Sequence, residues 1–299
     1  MLKKIIPIAI CVVVALVVVI YYFGAGLSSY KALGLTKSAG IPGLKDGFTP
    51  QGLTLDKETD NYIISGYFKN KPSRIYVVKK SGEVVKCVNV SINGEISNGH
   101  FGGVEIVGDK LIIASDKMVY EVNKSDLYAE NKDVVETTNA VETGNGCDFV
   151  TLAGDYLVVG EYYKKDKYET DESHYVKNNK ALSFCYKVTN GVVDYSNVVA
   201  KISTPDEIQG MAVTTDGRII LSSSWGLKKS KLFIFNAKIT EGETIVLDED
   251  NLAKELILPS MAEEIVLDGS KLCINYESGS NKYKFFNRTR IKNIITMEV

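Results

Sequence analysis

The sequence is poor in the residues on which several common kinds of site depend. Its 299 residues include two histidines, His100 and His174, and one tryptophan, Trp225. Two histidines cannot build a multi-histidine metal centre, and no G-x-S-x-G motif indicates a serine nucleophile. Six prolines beside 25 glycines exclude a collagen-like or proline-rich chain. Any chemistry must therefore rest mainly on carboxylates, amides and hydroxyls.

Neither net charge nor cysteine points to a function. The formal net charge is -2, with 35 Lys and Arg against 37 Asp and Glu, whereas a general nucleic-acid binder needs a surplus of basic side chains. No C-x-x-C pair occurs, and the cysteines after residue 26 are scattered: Cys87, Cys147, Cys185 and Cys273. We predict that they are free thiols rather than a disulfide framework. With 45% hydrophobic residues, the composition is that of a folded globular protein.

Residues 1–26 are predicted to be a membrane anchor. Lys3 and Lys4 precede an uncharged apolar run, residues 5–23, which as a helix is about 28 Å long and can cross the hydrocarbon core. A cleavable signal peptide, the alternative, has a shorter apolar stretch and a small-residue exit. This run instead ends in aromatic residues suited to the membrane interface. The lysines favour a cytoplasmic N terminus, so we expect a single-pass protein of the cell membrane with its bulk outside.

Residues 27–46 are predicted to be a tether, and residues 47–299 one repeat domain. Five segments of the domain each combine a polar or glycine-containing tag, a short alternating strand, a tight turn and a strongly apolar second strand. These segments begin at Thr49, His100, Gly146, Glu207 and Met261. A third strand and usually a fourth follow each pair. Four-stranded units that repeat at roughly 50 residues are typical of a β-propeller.

We therefore predict an all-β fold, a five-bladed β-propeller behind one N-terminal transmembrane helix. Five is the direct count of units, and a sixth blade would need strands from the tether, whose strand character is poor. Residues 291–299 are apolar and alternate weakly. The C-terminal segment is therefore expected to form an outer strand of the last blade and to close the ring, which removes open sheet edges.

The tags carry a resemblance to known proteins. The sequences PQGL from Pro50, HFGG from His100 and IQGM from Ile208, each with an apolar hairpin behind it, resemble the bacterial extracytoplasmic propellers of the SMP-30, NHL and YncE-like groups. The resemblance covers about residue 48 to the C terminus and implies the propeller architecture. These groups include lactonases and scaffolds. In the SMP-30-like lactonases a Glu-Gly-Pro opening supplies a metal ligand, but here Gln51-Gly52-Leu53 stands in its place, which puts that activity in doubt.

Equivalent positions in the five tags should form a ring, because the first strand of each blade lines the central channel of a propeller. Aligning the apolar residues of these strands puts five residues in one register: Gln51, Gly102, Asp148, Gln209 and Glu263. His100 is expected to reach the space that Gly102 leaves empty. Glu264 takes a position where three of the other four blades have glycine. We interpret the ring as a binding site for a small polar or cationic ligand. The alternative is that these side chains only hold water and join neighbouring blades.

The ends of the second strands form another predicted ring, which contains Tyr67, Tyr162, Trp225 and Tyr276. Aromatic side chains round a polar pocket suit flat, amphipathic ligands such as sugars or peptides. The alternative is that these tyrosines fill gaps between blades. The predicted ligand-binding set is then Gln51, His100, Asp148, Gln209, Glu263, Glu264, Tyr67, Tyr162, Trp225 and Tyr276.

The sequence favours a non-catalytic module that binds a small polar ligand, or an extracellular protein or polysaccharide, and does not bind nucleic acid. The alternative is a glycosidase- or lactonase-like hydrolase that uses Asp148, Glu207 and Glu263. No cofactor is expected, although oxygen ligands of this kind would suit Ca²⁺ better than a transition metal. The long insertion of residues 164–181 is predicted to be a solvated loop, with a partner-binding loop as the alternative.

Overall fold

The computed structural model describes residues 10–18, 27–285 and 287–299. Residues 10–18 form helix α1; the rest of the predicted membrane span lies outside the described residues. No helix among the described residues is both long and apolar enough to cross a membrane. A second short helix, α2 (Lys124–Tyr128), and the 3-10 turns Leu27–Leu33, Leu44–Asp46 and Glu172–His174 are the other helical segments.

The remainder of the described chain is dominated by strands, as predicted for an all-β protein. In chain order the strands are β1 (Thr36–Gly40), β2 (Thr49–Asp56), β3 (Asn61–Tyr67), β4 (Arg74–Lys79), β5 (Val84–Ile92), β6 (Glu95–Ile96), β7 (Gly103–Val107), β8 (Lys110–Ser115), β9 (Met118–Asn123), β10 (Val134–Glu142), β11 (Phe149–Ala153), β12 (Tyr156–Gly160), β13 (Ala181–Thr189), β14 (Val192–Thr204), β15 (Ile208–Val213), β16 (Ile219–Ser223), β17 (Ser230–Phe235), β18 (Thr244–Val246), β19 (Leu252–Leu258), β20 (Ala262–Asp268), β21 (Lys271–Tyr276) and β22 (Asn293–Glu298).

Apart from β6, which pairs with β5, and β18, these strands pair as antiparallel sets of four. The sets are β2-β3-β4-β5, β7-β8-β9-β10, β11-β12-β13-β14, β15-β16-β17-β19 and β20-β21-β22-β1. Tight turns join the first two strands of a set. In β7 and β8, Val107 pairs with Lys110, and Gly108 between them has φ 58°, a left-handed conformation that glycine adopts at little cost.

The first strands of the sets contact one another in a closed cycle. β2 contacts β7, β7 contacts β11, β11 contacts β15, β15 contacts β20, and β20 returns to β2. The apolar core lies between neighbouring sets: Ile63 and Ile75 of one set pack in a cluster with Val104 and Ile113 of the next. A set cannot bury both faces alone, so radial stacking is what stabilises each of them. The fold is propeller-like.

Two segments tie the outer edge of one set to the following set. β10 begins parallel to β5, where Val134 pairs with Asn89, and then continues antiparallel to β9. β18 likewise runs parallel to β14, where Thr244 pairs with Lys201, before β19 completes its own set. The outer strands are therefore not left as free edges at these two places.

The last set is closed by both ends of the described domain. β22 is its third strand, and the outer strand is β1, with Thr36 paired to Thr296 and their hydroxyls 2.6 Å apart. The C-terminal segment thus joins the last set as expected, but inside β1. The segment predicted as a tether contributes this outer strand. Its strand character is hard to recognise because an edge strand buries little: Ala39 is its one buried residue.

The cysteines of the domain are free thiols. Cys147, Cys185 and Cys273 are buried, and Cys87 is half-buried. Burial raises the pKa of the Cys147 and Cys185 thiols to about 12. Such thiols behave as small apolar side chains rather than as nucleophiles.

Candidate functional site

A cavity of about 510 Å³ opens where the first strands begin. Side chains from all five sets line it, and those contributed by the tags are Gln51, His100, Asp148, Gln209 and Glu263. Tyr67, Tyr162 and Trp225 line the same cavity. The structure therefore brings eight of the predicted ligand-binding residues together at one mouth of the ring.

Side chains on the second strands hold the tags in place. Ser65 Oγ donates a hydrogen bond to the Phe101 carbonyl oxygen at 2.9 Å, and Asn275 Nδ2 donates to the Gln51 carbonyl oxygen at 3.0 Å. In the same way Ser222 Oγ donates to the Glu263 carbonyl oxygen at 2.6 Å. Each bond joins one set to its neighbour, so these small polar residues fix the positions of the tag side chains around the axis.

The strand register shifts at the tags of three sets. Between β20 and β21, for example, the shift lies between Ala262 and Ile265; the other two sets shift at Pro50–Leu53 and Ile208–Gly210. A bulge breaks the strict alternation of side chains along a strand. Glu263 and Glu264 can therefore both point toward the axis, although they are consecutive.

Glu264 does not line the cavity; it ties sets together beneath it. Its Oε2 accepts the backbone N–H groups of Leu53 at 2.7 Å and Val104 at 3.0 Å, and its Oε1 accepts that of Val150 at 3.2 Å. Burial raises the pKa of this carboxyl well above its usual range, while the three N–H donors act in the opposite direction. The prediction that Glu264 binds ligand is therefore corrected: its carboxylate is occupied by the backbone.

The glycines at the equivalent positions give Glu264 its space. A Cβ on Gly103 would lie 2.9 Å from Glu264 Oε1, and a Cβ on Gly210 would lie 2.7 Å from the Glu264 Cα. A Cβ on Gly103 would lie still nearer, 2.6 Å, to the Val150 backbone nitrogen, so a side chain at either position would clash with the backbone of a neighbouring first strand. The absence of side chains in these tags is thus required by the close approach of the first strands, and it leaves room for the Glu264 carboxylate.

Glu105 occupies a second such position, nearer the other end of the axis. It accepts a hydrogen bond from Thr54 Oγ1 at 2.6 Å and one from the Leu152 backbone N–H at 3.0 Å. Burial raises its pKa. Glu105 also borders a cavity of about 310 Å³ where the first strands end. Glu105 and Glu264 therefore lie between the two mouths of the ring.

Tyr276 does not belong to the ring of aromatic residues in which the sequence predicted it. It pairs with Ala262, and it is completely buried in an apolar cluster, where its hydroxyl has no hydrogen-bond partner among the described residues. The residue equivalent to Tyr67, which pairs with Thr49, is Glu277, whose N–H donates to the Met261 carbonyl oxygen at 3.2 Å. The prediction was wrong by one residue, and a one-residue shift moves a side chain to the opposite face.

Glu277 and Glu263 form a carboxyl pair on the cavity wall. They lie within hydrogen-bonding reach of each other, and Gln51 Nε2 donates to Glu277 Oε2 at 3.1 Å. Burial raises the pKa of Glu263 well above its usual range and that of Glu277 to about 7. Two carboxylates this close repel each other, so the pair retains a proton near neutral pH. The sequence pattern did not reveal Glu277, because it lies just beyond an apolar strand.

Asp148 supplies a third carboxyl to the cavity. Its Oδ2 accepts the Tyr162 backbone N–H at 2.7 Å. The residue is open to the cavity, but protein surrounds the carboxyl on most sides, and this burial raises its pKa to about 6; the neighbouring negative charge of Glu161 acts in the same direction. Asp148 is therefore more basic than an ordinary surface aspartate.

The aromatic wall is completed by a loop. Residues 164–181, predicted to be a solvated insertion, bring Lys167 and Tyr168 to the cavity. Lys167 Nζ lies 4.5 Å from the centroid of the Trp225 ring, and the Tyr168 and Trp225 rings meet edge to face at 6.1 Å. Tyr162 is fixed by a hydrogen bond from its hydroxyl to the Ser224 carbonyl oxygen at 3.2 Å. One side of the mouth is thus aromatic with a cation over it.

The opposite side of the mouth has a similar composition. The His100 and Tyr67 rings meet edge to face, with centroids 4.3 Å apart. Lys282 Nζ donates a hydrogen bond to Tyr67 Oη at 2.5 Å and lies 4.7 Å from the Tyr283 ring centroid. Burial lowers the pKa of His100, and the Lys282 charge lowers it further, while Asp116 opposes the shift. His100 is therefore mostly neutral near pH 7.

The three carboxylates of the predicted hydrolase do not assemble. Asp148 and Glu263 line the cavity, but Glu207 forms an ion pair with Lys164 and lies outside that lining. Glu207 has a φ of 65°, which turns its backbone away from the regular strand. Among the described residues, no three His, Cys, Asp or Glu side chains are grouped so that they could hold a metal ion.

No family model and no curated protein matches this chain. Among solved structures it is similar to the PQQ-bound aldose sugar dehydrogenase of Streptomyces coelicolor, with 12% identity and a TM-score of 0.49 over 88% of this chain and 96% of that one. A putative glucose dehydrogenase of Thermus thermophilus gives 8% identity and a TM-score of 0.48 over 89% and 99%. BamB of Moraxella catarrhalis gives 10% and 0.38 over 83% and 82%. Scores this low assign no activity, so the fold rests on the strand topology.

Proposed function

We propose that this chain is a five-bladed β-propeller that binds a small polar ligand in the cavity at the tag end, without catalysis. One observation carries the proposal: a single cavity receives a polar tag residue from four of the five sets and His100 from the remaining one. Side chains that only stitched neighbouring sets together would be occupied by those contacts, as Glu264 is. Asp148, Gln51 and Glu277 also make local hydrogen bonds, but unlike Glu264 they line an open space large enough for a ligand.

The side chains that line the cavity favour a ligand that has both apolar ring faces and polar groups. Trp225 and Tyr162 offer aromatic faces, while Gln209 and Asp148 offer hydrogen-bonding groups on the same cavity. Sugars have this combination of apolar faces and hydroxyls. We therefore propose a saccharide, either free or as the end of an extracellular polysaccharide or glycosylated protein; neither nucleic acid nor a cofactor is part of the proposal.

The proposal is tested by converting two cavity carboxyls to amides while keeping side-chain volume. We expect the full-length double variant Asp148→Asn, Glu263→Gln to fold and to bind at least tenfold more weakly than the unaltered chain. A lost charge-assisted hydrogen bond costs about 1.5–3 kcal/mol, and about 1.4 kcal/mol is a tenfold change in affinity. Binding of a panel of mono- and disaccharides is measured by calorimetry and by Trp225 fluorescence, with and without Ca²⁺.

The matched control makes the same chemical changes at exposed acids, Asp109→Asn and Glu83→Gln, and should bind like the unaltered chain. If no member of the panel binds, the proposed function is wrong. It is also wrong if the cavity variant and the control bind equally well. If the cavity variant melts well below the control without ligand, its carboxyls are structural.

The proposed location is the outer face of a cell membrane, with the N-terminal segment as the anchor. The basis is the uncharged apolar run of residues 5–23 behind Lys3 and Lys4. Protease added to intact cells should then remove the domain while a tag placed at Met1 stays protected. A mature chain that begins near residue 25 would instead show that the segment is cleaved.

Hydrolysis remains the alternative function, now with Asp148, Glu263 and Glu277 as the available carboxyls. Glycosidase carboxyls stand about 5–9.5 Å apart across the bond they cleave, whereas Glu263 and Glu277 are within hydrogen-bonding reach of each other. This contact excludes Glu263 and Glu277 as the two carboxyls of that geometry, so a hydrolase would have to pair Asp148 with one of them. Release of product from the panel sugars or from simple lactones, lost in the Asp148→Asn, Glu263→Gln variant, would establish the alternative.

A further inference from the structure

The Lys282 ammonium group occupies a defined place on the cavity wall. It donates to Tyr67 Oη at 2.5 Å, and it lies 5.0 Å from the Tyr67 ring centroid and 4.7 Å from that of Tyr283. Burial raises the pKa of both Glu263 and Glu277, and the positive charge of Lys282 partly opposes that rise. A phenol oxygen, two aromatic rings and a carboxyl pair are the groups that receive a primary ammonium ion in proteins.

The contacts that hold this ammonium group are replaceable. Lys282 lies in the turn of residues 281–285, between β21 and β22, and it is exposed. Within the described part of the chain, no carboxylate lies close enough to its Nζ to form an ion pair. Its side chain has four rotatable bonds and can move to the rim at little cost, because exposed lysines hold no single conformation strongly. The wall that it covers is part of the same cavity as Asp148 and Trp225.

The charges of the cavity favour a cation over an anion at this place. Glu263, Glu277 and Asp148 line the cavity, and an anion beside them would meet like charges in a partly desolvated space. The other lining lysine, Lys167, lies over Trp225 at the opposite side of the mouth. An ammonium group near Tyr67 would therefore be attracted by the charges of Glu263 and Glu277, while the rest of the ligand extends toward the Trp225 ring.

We propose that Lys282 is a tethered occupant of an ammonium subsite, and that the ligand of this cavity carries a primary amine that displaces it. Within the saccharide class this means an amino sugar with a free amino group. The inference rests on the proposed function, because it names the ligand class of the same cavity. Lys282 then acts as a competitor built into the chain, and it keeps the carboxyl pair partly neutralised while the subsite has no external ligand.

The test compares ligands that carry a free amino group with neutral counterparts in which that group is acetylated or replaced by a hydroxyl. The probes are the glucosamine disaccharide and its N,N′-diacetyl form, titrated into the full-length chain at pH 7.5 with Trp225 fluorescence and calorimetry as readouts. We expect the free amine to bind at least about tenfold more tightly, the effect of one charge-assisted contact. 1,5-Diaminopentane against pentane-1,5-diol repeats the comparison without a sugar ring.

Variants of Lys282 and Glu277 show whether the amine displaces the Lys282 side chain or is only attracted to the carboxyls of the cavity. Lys282→Ala removes the tethered competitor, so the free amine should bind more tightly to it, by about tenfold for a competitor held at high effective concentration. The acetylated probe should bind the variant and the unaltered chain alike. Lys284→Ala, in the same turn but over the Phe285 ring, is the matched control and should change neither affinity. Glu277→Gln should weaken binding of the amine only.

The outcomes distinguish the two proposals. If neutral sugars bind and neither amine binds more tightly than its neutral counterpart, the ammonium subsite is overturned while the proposed function stands. If Lys282→Ala weakens amine binding, Lys282 is part of the binding site rather than a competitor, and the inference is overturned. If neither these probes nor any sugar of the panel binds, the proposed function fails and the inference fails with it.

Discussion

Glu264 offers the sharpest test of how the ring is held together. Its carboxylate accepts three backbone N–H groups from three sets, those of Leu53, Val104 and Val150. Glu264→Ala would leave all three buried donors without an acceptor. Each unsatisfied donor costs about 1–3 kcal/mol, so the loss is about 3–9 kcal/mol, comparable with the whole stability of a domain at about 5–15 kcal/mol. We expect this variant to be largely unfolded or insoluble.

Glu264→Gln is therefore the informative change. The amide oxygen can replace Oε2 and keep the bonds from Leu53 and Val104, but the amide nitrogen then faces the Val150 N–H, and that bond is lost. We expect the free energy of unfolding to fall by about 1–3 kcal/mol. For a domain of this size about 1 kcal/mol lowers the melting temperature by roughly 2–4 °C. Urea unfolding of the full-length chain, followed by circular dichroism, measures the difference.

The control is Glu83→Gln, the same substitution at an exposed side chain, which should change stability by less than about 0.5 kcal/mol. The reasoning about Glu264 is refuted if Glu264→Gln is as stable as the unaltered chain or more so. That result would mean that burying the charge costs more than its hydrogen bonds return, as happens for some buried ion pairs. The carboxylate would then be retained for a reason other than ring stability.

Two further predictions concern protons and the closing strand. Burial raises the pKa of Asp148 to about 6 and that of Glu277 to about 7, so the folded protein holds protons that the unfolded chain releases. Stability should therefore fall as pH rises from about 4 to 6 for Asp148, whose contribution is reduced by solvent screening, and from about 4 to 7 for Glu277, which contributes at most about 1.4 kcal/mol per pH unit; urea midpoints that rise over this range would contradict it. Deleting the chain through Gly40 should expose the edge of β22 and cause concentration-dependent aggregation in light scattering; a soluble monomer with an unchanged unfolding midpoint would show that β1 is dispensable.

The tag residues could be placed from the sequence because their register follows from apolar neighbours. In a strand with one buried face, side chains alternate strictly, so pairs such as Val150 and Leu152 fix the direction of Asp148. The same rule failed at Tyr276. The first strands of both sets have the same bulge, so Tyr276, which pairs with Ala262, is the equivalent of Gly66, which pairs with Pro50. No pattern of hydrophobicity fixes this count at the end of a second strand. Glu277 consequently took the place assigned to Tyr276.

The loop residues of the cavity could not be predicted for a different reason. Lys167 and Lys282 reach the mouth from a long insertion and from a turn, where no periodicity links a residue to a direction. β1 was not recognised because an outer strand with a single buried residue gives almost no apolar signal. The features that the sequence does not reveal thus lie in edge strands and loops, because packing against distant segments decides their conformation.

Closure by β1 has a consequence during synthesis on the ribosome. Thr36 must wait for Thr296, 260 residues later in the chain, before its strand has a partner. At about 5–20 residues per second, the nascent strand stays single for roughly 13–50 s, longer than any other strand of the domain waits for its neighbour in the same set. A strand that stays unpaired for so long promotes aggregation if it exposes large apolar side chains. The sequence of β1, TKSAG, has one lysine, two hydroxyls and no large apolar side chain, so the unpaired strand has little tendency to aggregate. The weak strand signal of this segment therefore suits the order in which the chain is synthesised.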